Sequence, residues 1–349
     1  MHLQPFREVF AAGASQVMPY YGMPIGTEYE EVGFSFNKQV ITGLLREELG
    51  FDGIVCTDWG VLNRTFWGVE SLSYEERMIK ALDAGVDQFG GEFRPGVLAG
   101  LIRAGRVSEA RVNDSVRRLL REKFRLGLFD HPFVDADAAD AIVGTAQARA
   151  AGLDAQTAAQ VVLKNEPGPA CLPLAGQPAL YVEGVDPEAF AGWAHIVPAP
   201  EEADIAVIRI AAPWEQRGKP GEIESFFHAG SLEFPADVLA HLREIAARVP
   251  VIIDVYLDRP AILAPVADLA SALTVNFGAC AEAFARILFG AAEPKGRLPF
   301  DIPSSMAAVE ASRPDVPFDT ASPAFRFGAG LGYENWVPAT RPDPASTPI

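Results

Sequence analysis

The feature that most narrows the folds open to this 349-residue chain is a set of near-continuous apolar runs in its second half. "PALYVEGV" (178–185), "ADIAVIRIA" (203–211), "VPVIIDVYL" (249–257) and "SALTVNFG" (271–278) lack the alternation of a strand with one wet face. Runs of this kind suit strands buried on both faces, the condition of a parallel sheet covered by helices. The stretches "FPADVLAHLREIAARV" (234–249) and "AEAFARILFG" (281–290) read as helices between and after them. A doubly wound α/β sandwich is the expected architecture of this region.

The first third has a related rhythm. "ASQVMPYYG" (14–22), "FDGIVCTDWG" (51–60) and "VDQFGG" (86–91) read as short strands. Between them, "NKQVITGLLREELG" carries a helical stripe of Val40, Ile41, Leu44, Leu45 and Leu49. "SYEERMIKALDAG" opens on Ser73 with Glu76 three residues later, the pattern of a capping box. "RVNDSVRRLLREKFRLG" reads as a long basic helix closing at Gly127. The alternation implies parallel βαβ units. Pro132 and a cluster of aspartates break it in "LFDHPFVDADAAD", which reads as a linker. A helix is expected over "AQARAAGLDAQTAAQVVLKN" (146–165). The resulting division is a first domain over 1–128, a linker over 129–150, a second domain over 151–338 and a Pro-rich tail over 339–349.

Composition excludes several classes of partner. The formal net charge is −17, so the chain lacks the basic face that nucleic acid or an anionic membrane surface requires. No apolar run reaches the ~18 residues of a membrane span. The N-terminal "MHLQPFREVF" is amphipathic and not a signal peptide, and the compartment stays open. Three widely spaced cysteines give no disulfide framework and no metal spacing. Cys56 and Cys280, in apolar surroundings, read as small core residues.

Parallel βα units place functional groups at the carboxyl ends of strands. Asp58 and Trp59 stand at such an end, and Tyr20 and Tyr21 stand at the end of the strand before. A carboxylate beside aromatic faces suits a sugar ring. From spacing alone Asp58 reads equally as a turn or cap residue, and the tyrosines as core or rim aromatics.

"LLREELGFDGIVCTDWG" resembles the nucleophile segment of glycoside hydrolase family 3, in which a strand ends in Ser/Thr-Asp-Trp. "SQVMPYYG" resembles the family's Met-x-x-Tyr strand, "ALDAGVDQFGG" its final barrel strand and "VNDSVRRLLREKFRLGLFD" its last barrel helix. "VVLKNEPGPACLPL", "EPKGRLPFDIP" and "FRFGAGLGYE" are similar to elements of its second domain. These ordered matches cover almost the whole chain. The resemblance implies a retaining, exo-acting β-glycosidase that takes oligosaccharides or aryl β-glycosides and needs no cofactor and no metal. It gives Asp58 the role of nucleophile, with Trp59, Tyr21 and Tyr20 around the sugar. Retaining chemistry needs a second carboxylate ~5–5.5 Å away as acid and base. In two-domain members this is a Glu on a second-domain loop, matched here by "RGKPGEIESFFHAGSLEF". Glu224 fits best by its place before Phe226 and Phe227, and Glu222 stands as the alternative. His228 reads as a loop-stabilising or a substrate-touching group.

The family's first domain is a (β/α)8-type barrel, which takes roughly 250 residues. Only about its last three βα units have counterparts here. The earlier Asp, Arg and Lys-His sugar contacts of the family have no match, and no Lys-His dipeptide occurs. The expectation is an incomplete barrel, poorly active alone, that associates with itself or with a partner chain carrying the earlier strands. The rival is a non-catalytic carbohydrate-binding module of the same fold.

Overall fold

A computed structural model describes residues 3–64, 66–220, 223–313 and 316–341. The chain divides into two units, Met1–Ala136 and Asp137–Ile349.

In the second unit a six-stranded sheet runs in the order β3-β8-β7-β6-β4-β5. Its strands are β3 (Val161–Asn165), β4 (Ala179–Glu183), β5 (His195–Ile196), β6 (Ile205–Ala211), β7 (Val251–Tyr256) and β8 (Ala272–Asn276). Pairing is parallel except at β3, which runs antiparallel to β8 with a register shift between Val162 and Lys164. The four apolar runs become β4, β6, β7 and β8. Alternate residues feed two cores: Ala206, Ile208, Val251, Ile253, Leu273 and Val275 pack with the helix Ala236–Ala246. Ile205, Val207 and Ile252 pack with Phe284 and Ile287 of the helix Ala281–Leu288. Two wet-free faces explain why the sequence shows no period of two.

The stretch expected as one helix over 146–165 splits. The helix ends at Ala158, and the chain enters β3. Val161, Val162 and Leu163 are consecutive buried apolar residues, which a strand between two cores accommodates and one helix face does not. Val162 also bridges Leu331 of the "FRFGAGLGYE" segment, whose glycines permit a close backbone approach. A Cβ at Gly330 would stand 2.4 Å from the Gly296 carbonyl oxygen.

In the first unit β1 (Gln16–Val17) pairs in parallel with β2 (Ile54–Val55), and Cys56 bridges Gln88 in the same sense. Three extended segments are thus in line, each much shorter in pairing than the apolar runs suggest. The helices Gln39–Glu48, which is π-wound, Tyr74–Ala84 and Glu109–Arg125 pack around them. Ser73 and Glu76 form the capping box in both directions. A further helix, Pro95–Arg103, occupies a stretch to which the sequence reading assigned no element. Pro95 in its first turn favours that start, and Gly96 and Gly100 weaken its signature. The core gathers Phe36, Ile41, Leu45, Val55, Leu62, Met78, Leu82 and Val86.

The cysteines are free. Cys56 is half-buried and Cys280 exposed, in place of the expected core positions. Cys280 stands at the N-cap position of the helix Ala281–Leu288, just past the end of β8.

Candidate active site

The carboxyl end of β2 is set from beneath by one buried carboxylate. The Asp87 side chain is fully buried, and its Oδ2 accepts from Arg46 Nη2 at 2.6 Å and from the Val55 amide at 3.0 Å. Its Oδ1 accepts from Ser115 Oγ at 2.7 Å and Arg118 Nη1 at 3.0 Å. Arg46 also donates to the Phe51 and Gly53 carbonyls, clamping the turn that enters β2. Burial lowers the Arg46 pKa, opposed by the charge of Asp87. The node ties the helices Gln39–Glu48 and Glu109–Arg125 to the strand that delivers Thr57, Asp58 and Trp59.

Thr57 then locks the next segment. Its Oγ1 accepts from the Gly90 amide at 2.9 Å, and its own amide donates to the Gln88 carbonyl at 2.9 Å. Asp58 is half-buried, and its Oδ1 accepts from the Trp59 amide at 2.7 Å. The Trp59 side chain, 67% exposed, lies over Gly90 and Gly91. Gly91 adopts φ 66°, and a Cβ there would fall 2.4 Å from Trp59 Cδ1. The pair of glycines is therefore the seat of the indole.

Tyr21 completes the group. Its hydroxyl donates to the Trp59 carbonyl at 2.7 Å and lies against the Asp58 carboxylate. Burial pushes its pKa up to about 12, helped by the hydrogen bond and charge of Asp58 and opposed by Arg64. The Tyr21 ring stacks on Trp67 at 4.7 Å and 16°. Arg64 reaches back toward Gly60, and Asn63 Nδ2 donates to Glu92 Oε2 at 2.7 Å. Tyr74 shares that Glu92 oxygen at 3.0 Å. A half-buried carboxyl group beside a phenol, with an indole on the next residue and Arg64 in the same loop, can hold a sugar ring and stabilise positive charge at its anomeric carbon.

Of the expected residues, Asp58, Trp59 and Tyr21 come together. Tyr20 does not join them. It lines an apolar groove with Leu3, Phe6, Met18, Phe34 and Leu44, with its ring edge-on to Phe34 at 6.1 Å. The flip of direction between neighbouring residues of an extended chain separates the two tyrosines. Arg64 and Trp67 were missed by sequence reading, because the loop after Asp58 shows no period. Trp67 takes φ 67°, a left-handed conformation no pattern announces. The Gly-Gly of "VDQFGG" was the available signal for a bulky group seated against that segment.

In the second unit Glu224 lies in a short 3-10 turn, Ile223–Phe226, and is exposed, as are Phe226 and Phe227. Glu222 lies outside the described residues. His228 stacks on Trp214 at 4.3 Å and 7°, and its Nδ1 pairs with Asp258. The local role weighed for His228 is thus occupied by two protein partners.

Residues 1–122 match the model of the glycosyl hydrolase family 3 N terminal domain, and residues 182–333 match that of the family's C-terminal domain. β-Glucosidase C of Emericella nidulans is 49% identical over 348 residues, spanning 96% of this chain and 56% of its own. The periplasmic β-glucosidase/β-xylosidase of Dickeya chrysanthemi is 37% identical over 95% of this chain and 54% of its own. The chain thus spans about half the length of the curated relatives it matches. Among solved structures, a β-glucosidase from Listeria innocua in complex with glucose superposes with TM-score 0.74 at 21% identity. The alignment covers 95% of this chain and 53% of that one. A β-glucosidase from Erythrobacter marinus gives 0.79 at 22% identity, over 95% of this chain and 54% of that one. With two family models matched in order across most of its length, and relatives near half identical to it, the chain belongs to glycosyl hydrolase family 3.

Proposed function

We propose that this chain carries the reacting groups of a retaining, exo-acting β-glycosidase of β-glucosidase type. The observation that carries the reading is the Asp58 carboxylate at the end of β2, flanked by Trp59 and by the Tyr21 hydroxyl. Asp58 attacks the anomeric carbon while the bond to the leaving oxygen breaks and Glu224 gives that oxygen its proton. Water then adds to the glycosyl–Asp58 ester, its proton passes to Glu224, and Asp58 departs. The paired carboxylates of retaining glycosidases work in this way. Trp59 packs the apolar face of the sugar, and Tyr21 holds Asp58 in its attacking orientation. Glu222 remains the alternative donor on the same loop. The chemistry asks for no metal and no cofactor.

The first unit is read as the last three βα units of a (β/α)8-type barrel, followed by a linker over 129–150 and an α/β sandwich over 151–338. Three parallel segments are too few to close a barrel. One observation favours a second reading for the chain acting alone, as a carbohydrate-binding or partner-dependent module. An open groove of about 640 Å³, lined by Tyr74, Gln88, Phe89, Glu92 and Leu98 among others, runs along the last extended segment.

Incubation with a 2-fluoro aryl β-glycoside, followed by peptide mass spectrometry, separates the two readings. A glycosyl adduct on the peptide holding Asp58, absent in Asp58→Asn, supports the enzyme. Binding of the glycoside with no adduct supports the module, and an adduct on another carboxylate refutes the assignment of Asp58.

A further inference from the structure

The loop between β6 and the helix Ala236–Ala246 carries Glu224, and its stem is fastened by groups the chemistry does not use. Glu215 and Ala229 form an antiparallel bridge, with the Glu215 amide donating to the Ala229 carbonyl at 2.9 Å. The Glu215 carboxylate crosses to the other leg, where Oε1 accepts from the Ser231 amide at 3.0 Å. That hydrogen bond, with Arg217 and Arg259 beside it, lowers the Glu215 pKa. Gly230, at φ 83°, leaves the space this side chain occupies: a Cβ there would stand 2.3 Å from Glu215 Cδ.

The second set of ties comes from the end of β7. Arg259 Nη1 donates to the Ala229 carbonyl at 2.5 Å, and Nη2 to the Gly230 carbonyl at 2.8 Å. Its neighbour Asp258 pairs with His228 Nδ1, and the His228 ring stacks on Trp214 of the opposite leg. Both legs are thus bound to each other and to Asp258 and Arg259, in the segment that follows β7.

We infer that Arg259 and Glu215, with the Trp214–His228–Asp258 stack, are positioning residues that hold the Glu224 arm at a fixed height above the sheet. A loop of this length without ties carries a large conformational entropy. General acid catalysis depends on placing the acid within hydrogen-bond reach of the leaving oxygen. A stem clamped at both legs confines the search to the turn at Ile223–Phe226. His228 belongs to this clamp and not to the substrate.

The role of Glu224 is that given under the proposed function, and the test separates the two claims. Arg259→Lys and Glu215→Gln are compared with wild type and with Glu224→Gln on the full chain. Circular dichroism controls for folding, and Glu215→Gln, a surface change, serves where Arg259→Lys unfolds. Hydrogen exchange of peptides over 213–231 is read first: at least a tenfold acceleration is expected there, with β6–β8 unchanged. An unchanged profile overturns the clamp whether or not the chain turns over substrate. Aryl β-glycosides of graded leaving-group acidity are read second. The clamp variants should lose about tenfold in kcat for poor leaving groups and less than about threefold for good ones, echoing Glu224→Gln in direction. Equal loss on every substrate, while Glu224→Gln shows the graded pattern, overturns the positioning role alone. No gradation in Glu224→Gln overturns the assignment of the acid. Where the wild-type chain shows no turnover, exchange alone decides the clamp.

Discussion

Removing the Asp254 carboxylate tests how the sheet of the second unit is held. Asp254 sits in the middle of β7, fully buried, and accepts from Arg209 Nε at 2.6 Å, Thr274 Oγ1 at 2.7 Å and Asn276 Nδ2 at 2.8 Å. In Asp254→Ala the Arg209 guanidinium keeps its place against Phe284 with its countercharge gone, and its Nη2 already has no partner. Breaking such a pair costs about 3–5 kcal/mol. Each 1.4 kcal/mol is a factor of ten, so exchange of β7 amides that open by unfolding should accelerate by roughly 10²- to 5 × 10³-fold. Replacing both charges, in Asp254→Leu with Arg209→Met, removes the stranded cation and should recover most of that loss. Exchange measured by mass spectrometry on peptides spanning β6–β8 reads this unit without interference from the other. Asp254→Ala within about 1 kcal/mol of wild type, or a double variant no better than the single, would refute the reasoning.

The same carboxyl carries a pH signature, and four further outcomes can be checked. Burial holds the Asp254 pKa above its ordinary value, so between the unfolded and folded pKa the native state binds more protons. Stability present at low pH is therefore lost as pH rises through the folded pKa, and Asp254→Asn should abolish that decline in urea titrations at stepped pH. Tyr21 should ionise near 12, later than an ordinary phenol, in a 295 nm difference titration against Tyr21→Phe; Asp58→Asn should bring its midpoint down, and no movement would disconnect the pair. Gly91→Ala should displace the Trp59 indole, raising its acrylamide quenching, and destabilise the first unit by about 1 kcal/mol or more because the backbone there is left-handed. Asp87→Asn should lower the first unit's thermal midpoint sharply, at a loss of about 3–5 kcal/mol, while exchange in β6–β8 stays unchanged. Phe6→Glu with Leu44→Glu, on the walls of the apolar groove, should reduce self-association in sedimentation at roughly micromolar concentration and above.

Sequence reading recovered elements wherever the governing force is local or periodic. The four apolar runs of the sheet, the capping box at Ser73 and the end of the basic helix near Gly127 announce themselves in composition and spacing. It misjudged the stretch after Ala158 because consecutive apolar residues fit a helix or a doubly covered strand equally, and only the antiparallel partner β8 decides. It overestimated strand lengths in the first unit, since ladder length is set by neighbouring strands and not by the apolar run itself. At the site, Asp58 and Trp59 stood out as polar and aromatic groups ending a buried run. Arg64 and Trp67 did not, because their approach depends on left-handed turns in a loop without period.

Asp87 marks a further limit of reading by pattern. Within "VDQFGG" it stands second in an extended segment, a carboxylate of the same type as Asp58 by composition alone. Burial reverses the comparison. Arg46, Arg118, Ser115 and the Val55 amide occupy both of its oxygens, leaving no lone pair directed at a ligand. Asp58 has the amide of its own neighbour on one oxygen and the Tyr21 hydroxyl beside it, and remains half open. A carboxylate whose lone pairs are all taken from within fixes architecture, and one held from one side while still reachable has lone pairs left to act with. The first type makes the second dependable: Asp87 receives the Val55 amide, and three residues past the end of β2 the chain presents Asp58. Perturbing Asp87 should therefore lower activity through the position of Asp58, with a loss that conservative replacement of Arg118 by Lys shares in part.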